Sequence, residues 1–252
     1  MSRLSELSTI DDVLTTFDDV IKDCEKEATP LGYFPAIYRQ VTVSIKAAIA
    51  AGKFANPARM AHFDVVFASR YFDALDAWKR GESPTRSWLA SFAATTNKDL
   101  IVLQHILLAV NAHMRLDLGV AAATVAPGSD LPTMLGDFQE VDKILASLVN
   151  LDRLHVDAIS PRIRELDRIG SLDDDLVDIV IRDIRNHSWD VAKRLAPLGG
   201  DDFGTAVLAL DEDVVDLSGK IVDPPWAVKL VLRDLIKPAE SKDVCAIIHA
   251  LR

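Results

Sequence analysis

The chain has 252 residues, 49% of them hydrophobic, with 38 acidic against 28 basic side chains and a formal charge of −10. That length can bury a substantial core in one large domain or two small ones. The acidic balance disfavours a general nucleic-acid surface, which needs a basic footprint, but leaves room for a local basic pocket that takes a small phosphate.

Cys24 and Cys245 stand near opposite ends, so no disulfide scaffold is expected. Glu6, Asp11 and Asp12 interrupt what would be the apolar core of a signal peptide. No charge-poor apolar run reaches the roughly 18 residues of a membrane span. A cytoplasmic location without a membrane span is the expectation.

Residues 8–28 open on a capping pattern, with Ser8 or Thr9 as cap and Asp11 and Asp12 in the first turn. Ile10, Val13, Leu14, Phe17, Val20, Ile21 and Cys24 follow at helical spacing until Pro30 and Gly32. A second helix is expected over 35–51, ended by Gly52. Asn56-Pro57 starts a third over 57–79, with Pro57 suited to the first turn. Gly81 and Pro84 mark a turn before a short helix around 84–94. Residues 99–118 then form a long apolar stretch without Pro or Gly, which fits a helix of about five turns. Only Gln104, His105, Asn111, His113, Arg115 and Asp117 interrupt it.

Gly119, Pro127, Gly128, Pro132 and Gly136 predict a loop over 119–136 with one short helical piece near 119–125. Loops of this length often serve as lids or binding walls, although a plain surface excursion is the more economical reading. Residues 137–168 read as a helix or bent pair with a break near Pro161. Residues 172–196 read as another helix. Between 201 and 221 a helix and a two-stranded ribbon both stay open, and short helices follow over 225–236 and 240–250. The expected fold is all-α, a single-domain multi-helix bundle around a buried central helix at about 99–118, less regular from about residue 200.

The chemistry concentrates on that central helix. His113 and Asp117 are four residues apart and lie about 40° from each other on an ideal helix. They can ligate one metal, or Asp117 can orient the His113 ring. His105 lies about 80° from His113 and two turns away. Asn111 points about 160° from His113 and is expected to bond to a neighbouring helix. In the third helix, Arg70 and Tyr71 could bind an anion or satisfy buried carboxylates. His62 and Asp64, two apart, share no face unless the helix starts after them. Asp137, Glu140 and His187 are candidates to join from other helices, and Asp183–His187 is a further acid–histidine pair flanked by Arg182 and Arg185. His113, Asp117, His105, Arg70 and Tyr71 are thus the candidate catalytic residues. His62, Asp64, His113, Asp117 and His187 are the candidate ligands of a divalent metal such as zinc. Buried structural networks pairing each histidine with an acid explain the same residues equally simply. His155 and His249 read as surface or interface residues, and the four tryptophans, Trp78, Trp88, Trp189 and Trp226, as core or rim packing. No HExxH, CxxC, GxSxG, GxGxxG or GxxxxGK[ST] pattern occurs.

Several stretches together carry a resemblance. They are Pro35-Ala-Ile-Tyr38-Arg-Gln-Val-Thr, Phe54, Met60, Phe67-Ala-Ser-Arg70-Tyr71, Ser87-Trp88 and His105-Ile-Leu-Leu-Ala-Val-Asn111-Ala-His113-Met-Arg-Leu-Asp117-Leu118. Over about 33–190 the chain resembles a bacterial family of unknown function whose hallmark is an Asn-Ala-His-Ile-x-x-Asp-Leu motif. Met114 stands where that family usually has Ile, and Ala109 where it usually has Gly. The resemblance implies weight for Arg70, Tyr71, His105, Asn111, His113 and Asp117, and no named activity. A looser likeness to helical zinc phospholipases C and nucleases is one of fold alone, since their His/Asp spacing is missing.

Three functions follow as expectations: a metal-assisted hydrolase or lyase acting on a small molecule, a metal-free enzyme or small-ligand binder using His113–Asp117 as a general acid/base pair, and a helical scaffold or interaction protein. The sequence leaves open whether the protein is an enzyme and whether it self-associates.

Overall fold

In the computed structural model, residues 7–163 and 187–252 are described, with the backbone alone for 146–158. Residues 164–168 of the expected 137–168 helix, residues 172–186 of the expected 172–196 helix, including Arg182, Asp183 and Arg185, and the side chain of His155 lie outside the described residues. Within them every regular element is helical.

Local chemistry sets the first helices as the sequence predicts. Helix α1 (Ile10–Glu27) starts on a capping box in which the Thr9 hydroxyl accepts the Asp12 N–H at 3.1 Å and Asp12 accepts the Thr9 N–H at 2.9 Å. Helix α2 (Tyr33–Ala50) follows a short 3₁₀ turn. Arg39 on α2 forks onto Asp18 of α1 with two bonds of 2.9 Å. Helix α3 (Pro57–Lys79) has Asn56 as cap and Pro57 in its first turn. Helix α4 (Arg86–Ala94) is the short fourth element.

Helix α5 (Val102–Val125) is the central one, and it is longer than expected. It continues through Gly119, so the predicted loop over 119–136 shrinks to a turn around 126–130 and supplies neither lid nor binding wall. Gly119 stays helical because the neighbour needs its small size: a Cβ there would sit 2.4 Å from the Ser188 carbonyl and 2.6 Å from Val191. By length and composition α5 could cross a membrane, but 94% of its most apolar window is buried inside the protein, as a core helix must be.

Helix α6 (Leu131–Ile159) accommodates Pro132 in its first turn, where no N–H is needed. A helical segment α7 (187–195) packs across Gly119. The ambiguous 201–221 region is helix α8 (Gly200–Val222) and not a ribbon. Val207, Leu210, Val214, Leu217 and Ile221 recur at helical spacing and are all buried. The C-terminal part is therefore regular at its start. Helix α9 (Trp226–Val231) ends in a π turn, Leu232–Ile236, and α10 (Val244–Ala250) closes the chain. One large apolar cluster joins side chains of α1 through α8 around α5.

Among the described residues, three helices receive carboxylates from distant segments. Asp137 of α6 accepts the Ala55 and Asn56 N–H groups at 2.6 and 3.1 Å, ahead of α3. Asp211 of α8 accepts Arg86 N–H and Ser87 N–H at 2.5 and 3.1 Å, where Thr85 makes no side-chain cap. Glu240 accepts Val102 N–H at 3.0 Å at the start of α5. A negative group at these sites meets otherwise unpaired amides and the positive end of the helix dipole.

Candidate functional site

The centre of α5 departs from α-helical geometry. Asn111–Asp117 forms a π segment, closed by the Leu118 N–H bonding the His113 carbonyl five residues back. Such bulges occur frequently at functional sites. The wider turn keeps His113 and Asp117 together: His113 Nδ1 lies 3.2 Å from Asp117 Oδ2, and both residues are fully buried.

Asp117 is held from three sides. Arg70 Nε donates to Oδ1 at 3.0 Å and the Trp88 indole N–H donates to Oδ2 at 2.7 Å. Burial alone would raise its pKa, but the Arg70 charge and the bonds from His113 and Trp88 outweigh that, and the carboxyl falls below its usual value. Burial dominates at His113 and lowers its pKa despite Asp117, with Arg70 acting in the same direction as burial. An ionised carboxylate beside a neutral imidazole accepts only, so the ring proton sits on Nδ1. Nε2 then carries the free lone pair, and it has no hydrogen-bond partner.

An aromatic cage surrounds this ring. Phe67 stacks on it at 3.9 Å between centroids with planes 2° apart. Tyr38 meets it edge-on at 4.5 Å, and Phe34 and Trp88 stand at 5.4 and 5.8 Å. The Tyr38 hydroxyl is buried without a partner, and its pKa is raised by burial, then by the Asp64 and Asp117 carboxyls. Asp64 is also fully buried, neither oxygen is bonded, and burial pushes it up to about 8. It keeps its proton at neutral pH.

The other expected residues go elsewhere. Asn111 faces away as its angle implied, donating to Val214 O and Ser218 Oγ of α8 at 2.8 and 3.0 Å. His105 lies edge-on to Tyr33, and burial followed by the Lys237 charge pushes it down to about 4. Tyr71 is buried with its hydroxyl unpartnered. His62 is exposed, since a separation of two residues turns it about 200° from the buried Asp64. His187 stands 3.5 Å from Arg115, away from the cage. Asp137 serves the start of α3, and Glu140 pairs with Lys143 at 2.8 Å.

The expected metal ligands are therefore not assembled as a set. Among the described residues no three His, Cys, Asp or Glu side chains are grouped so that they could hold a metal ion. Trp88 is more than packing, because its N–H reaches Asp117, and Trp226 is 76% exposed rather than packed. The sequence reading missed the Trp88 bond, which joins residues 29 apart, and the roles of Tyr38 and Phe67 as cage walls. Both of these lie in the stretches that carry the family resemblance.

The profile of a family of unknown function, DUF5995, matches residues 10–224. The chain belongs to that family. No curated protein and no solved structure matches it. The DUF5995 region runs from the start of α1 past the end of α8, beyond the extent of about 33–190 expected from the resemblance. It takes in Arg70, Trp88, His113 and Asp117, and leaves α9 and α10 outside.

Proposed function

We propose that the protein acts on a small molecule as a metal-free hydrolase or lyase, with His113 as general base and Asp117 as its positioning partner. One observation carries this reading: His113 Nδ1 is tied to an ionised carboxylate while Nε2 is buried and unpartnered. That is the arrangement by which an acid fixes the tautomer of a catalytic histidine. Arg70 and Trp88 hold the carboxylate in turn, so the base is positioned by a supported pair. The lowered pKa of His113 keeps it unprotonated at neutral pH, as a base must be.

The test is turnover of small esters, amides and β-hydroxy carbonyl compounds by wild type and His113→Asn. Activity should fall along an acid limb below about pH 6.5, the ordinary histidine value, and be lost in a folded His113→Asn protein. Equal turnover in both proteins would remove the base from the reaction. Turnover that vanishes with a chelator and returns with a divalent ion would favour metal-assisted hydrolysis instead. A structural reading is favoured by the three donors on Asp117. It predicts no turnover and a His113→Asn protein that is simply less stable.

A further inference from the structure

A pocket opens beside the His113 cage and shares two of its rings. Phe34 and Trp88, which touch His113, also line this pocket together with Tyr71 and His105. Leu31 and Thr95, both half-buried, form part of its rim. Its volume of about 10 Å³ is close to the least that holds one water molecule. Two of the lining side chains carry a buried polar atom without a partner, the Tyr71 hydroxyl and His105 Nδ1, on residues only 1% and 9% exposed. They come from different helices, α3 and α5, and meet at a lining that contains no charged residue.

We infer that this pocket binds a small uncharged molecule with an apolar body and one hydroxyl or carbonyl group, held by Tyr71 and His105. Both partners are neutral at physiological pH. Burial raises the pKa of Tyr71, and His105 is pushed down to about 4, so each presents ordinary donors and acceptors rather than a charge. A hydroxyl or carbonyl oxygen satisfies such groups, whereas an ion would enter without a counter-charge. The small volume places only the polar head inside, so the body spans the rim or parts it. Phe34 and Trp88 stand between this pocket and the His113 imidazole, so the pocket is distinct from the site proposed for the base and does not depend on it.

The experiment follows the tryptophan indole N–H signals in ¹⁵N spectra during titration with 1-propanol and with phenol. Propionate and propylammonium serve as charged controls, and the proteins are wild type, Tyr71→Phe, His105→Leu and His113→Asn. Saturable shifts with the neutral probes are expected, weakened at least fivefold in Tyr71→Phe and His105→Leu, with none from the charged probes. Affinity in His113→Asn should stay within twofold of wild type, because His113 does not line the pocket. Should His105→Leu fail to fold, Tyr71→Phe decides, since it removes one hydroxyl and no volume. Absence of saturable shifts with both neutral probes, unchanged affinity in Tyr71→Phe, or equal binding of the charged probes would overturn the inference. A loss in His113→Asn as large as in Tyr71→Phe would move the ligand to His113 and overturn it too. Normal binding without turnover would leave the pocket standing and remove the catalytic reading alone.

Discussion

The protein buries carboxylates in two settings, and they behave differently. At the helix starts, Asp137, Asp211 and Glu240 each meet backbone N–H groups that would otherwise lack partners. In the core, Asp117 is satisfied entirely by the side chains of Arg70, Trp88 and His113, and Asp64 by nothing. The first group connects remote segments to helix ends, a structural task that the backbone itself defines. The second depends on side chains that the fold could have made apolar. Replacing buried ionic groups by apolar ones is often neutral or stabilising, so stability alone does not account for a buried Asp117. The unpartnered Nε2 of His113 supplies a candidate reason.

Substitutions can break this contrast. The largest effect is expected for Asp117→Asn, which leaves Arg70 and His113 without their anion. Loss of one partner of a buried pair costs about 3–5 kcal/mol, and the lower end applies here because the Arg70 side chain is 30% exposed and can be hydrated. Chemical denaturation at pH 7 would read it. A change under about 1 kcal/mol would mean that the side-chain cluster is no more demanding than a cap.

Asp64 is tested through pH. Its folded pKa, about 8, is raised above the ordinary 3.8. The folded state therefore keeps a proton that the unfolded chain has released. Its contribution is fully present below pH 4 and is lost as pH rises towards 8, by up to about 1.4 kcal/mol per pH unit. Asp64→Asn removes that slope, so the stability difference between variant and wild type should grow in favour of the variant from pH 5 to pH 8, by roughly 4 kcal/mol. Parallel curves would show that Asp64 ionises normally. Asp117 and His113, both with lowered pKa, act in the opposite sense: their contributions are lost as pH falls, that of His113 starting near pH 6.5. They should leave an acid-side decline in both proteins.

A smaller loss is expected for Trp88→Phe. It removes one hydrogen bond to a charged group, about 2 kcal/mol, while keeping an aromatic wall. Smaller still is Asp211→Ala, about 1–2 kcal/mol as for an ordinary cap. Turnover, where found, should survive Asp211→Ala and fall in Trp88→Phe. If both variants lose activity in proportion to stability, the two settings are not functionally distinct.

Much of this was legible from the sequence, for local reasons. Thr9 with Asp12 and Asn56 with Pro57 mark helix starts whose chemistry needs no tertiary partner. The four-residue spacing of His113 and Asp117 survives even the π turn, and Asn111 points to its neighbour as its helical angle requires. The misreadings are tertiary. Gly119 looked like a helix breaker, but it is the place where α7 approaches too closely for a Cβ. Pro132 looked like loop material, yet it stands in the first turn of α6. The acids of 211–216 obscured a helical face, because Asp211 points inward to cap α4. For the same reason His62 and His187 could be imagined beside His113: spacing within one helix says nothing about distances between helices.

The claim that His113 is a poised base is tested most directly by the protonation of its ring. Long-range ¹H–¹⁵N correlation spectra at pH 7 distinguish the two neutral tautomers and the imidazolium. A neutral His113 with the proton on Nδ1 and a bare Nε2 is expected, and replacing Asp117 by Asn should leave the ring neutral and move the proton towards Nε2. A wild-type ring protonated on Nε2, or carrying both protons at pH 7, would contradict it.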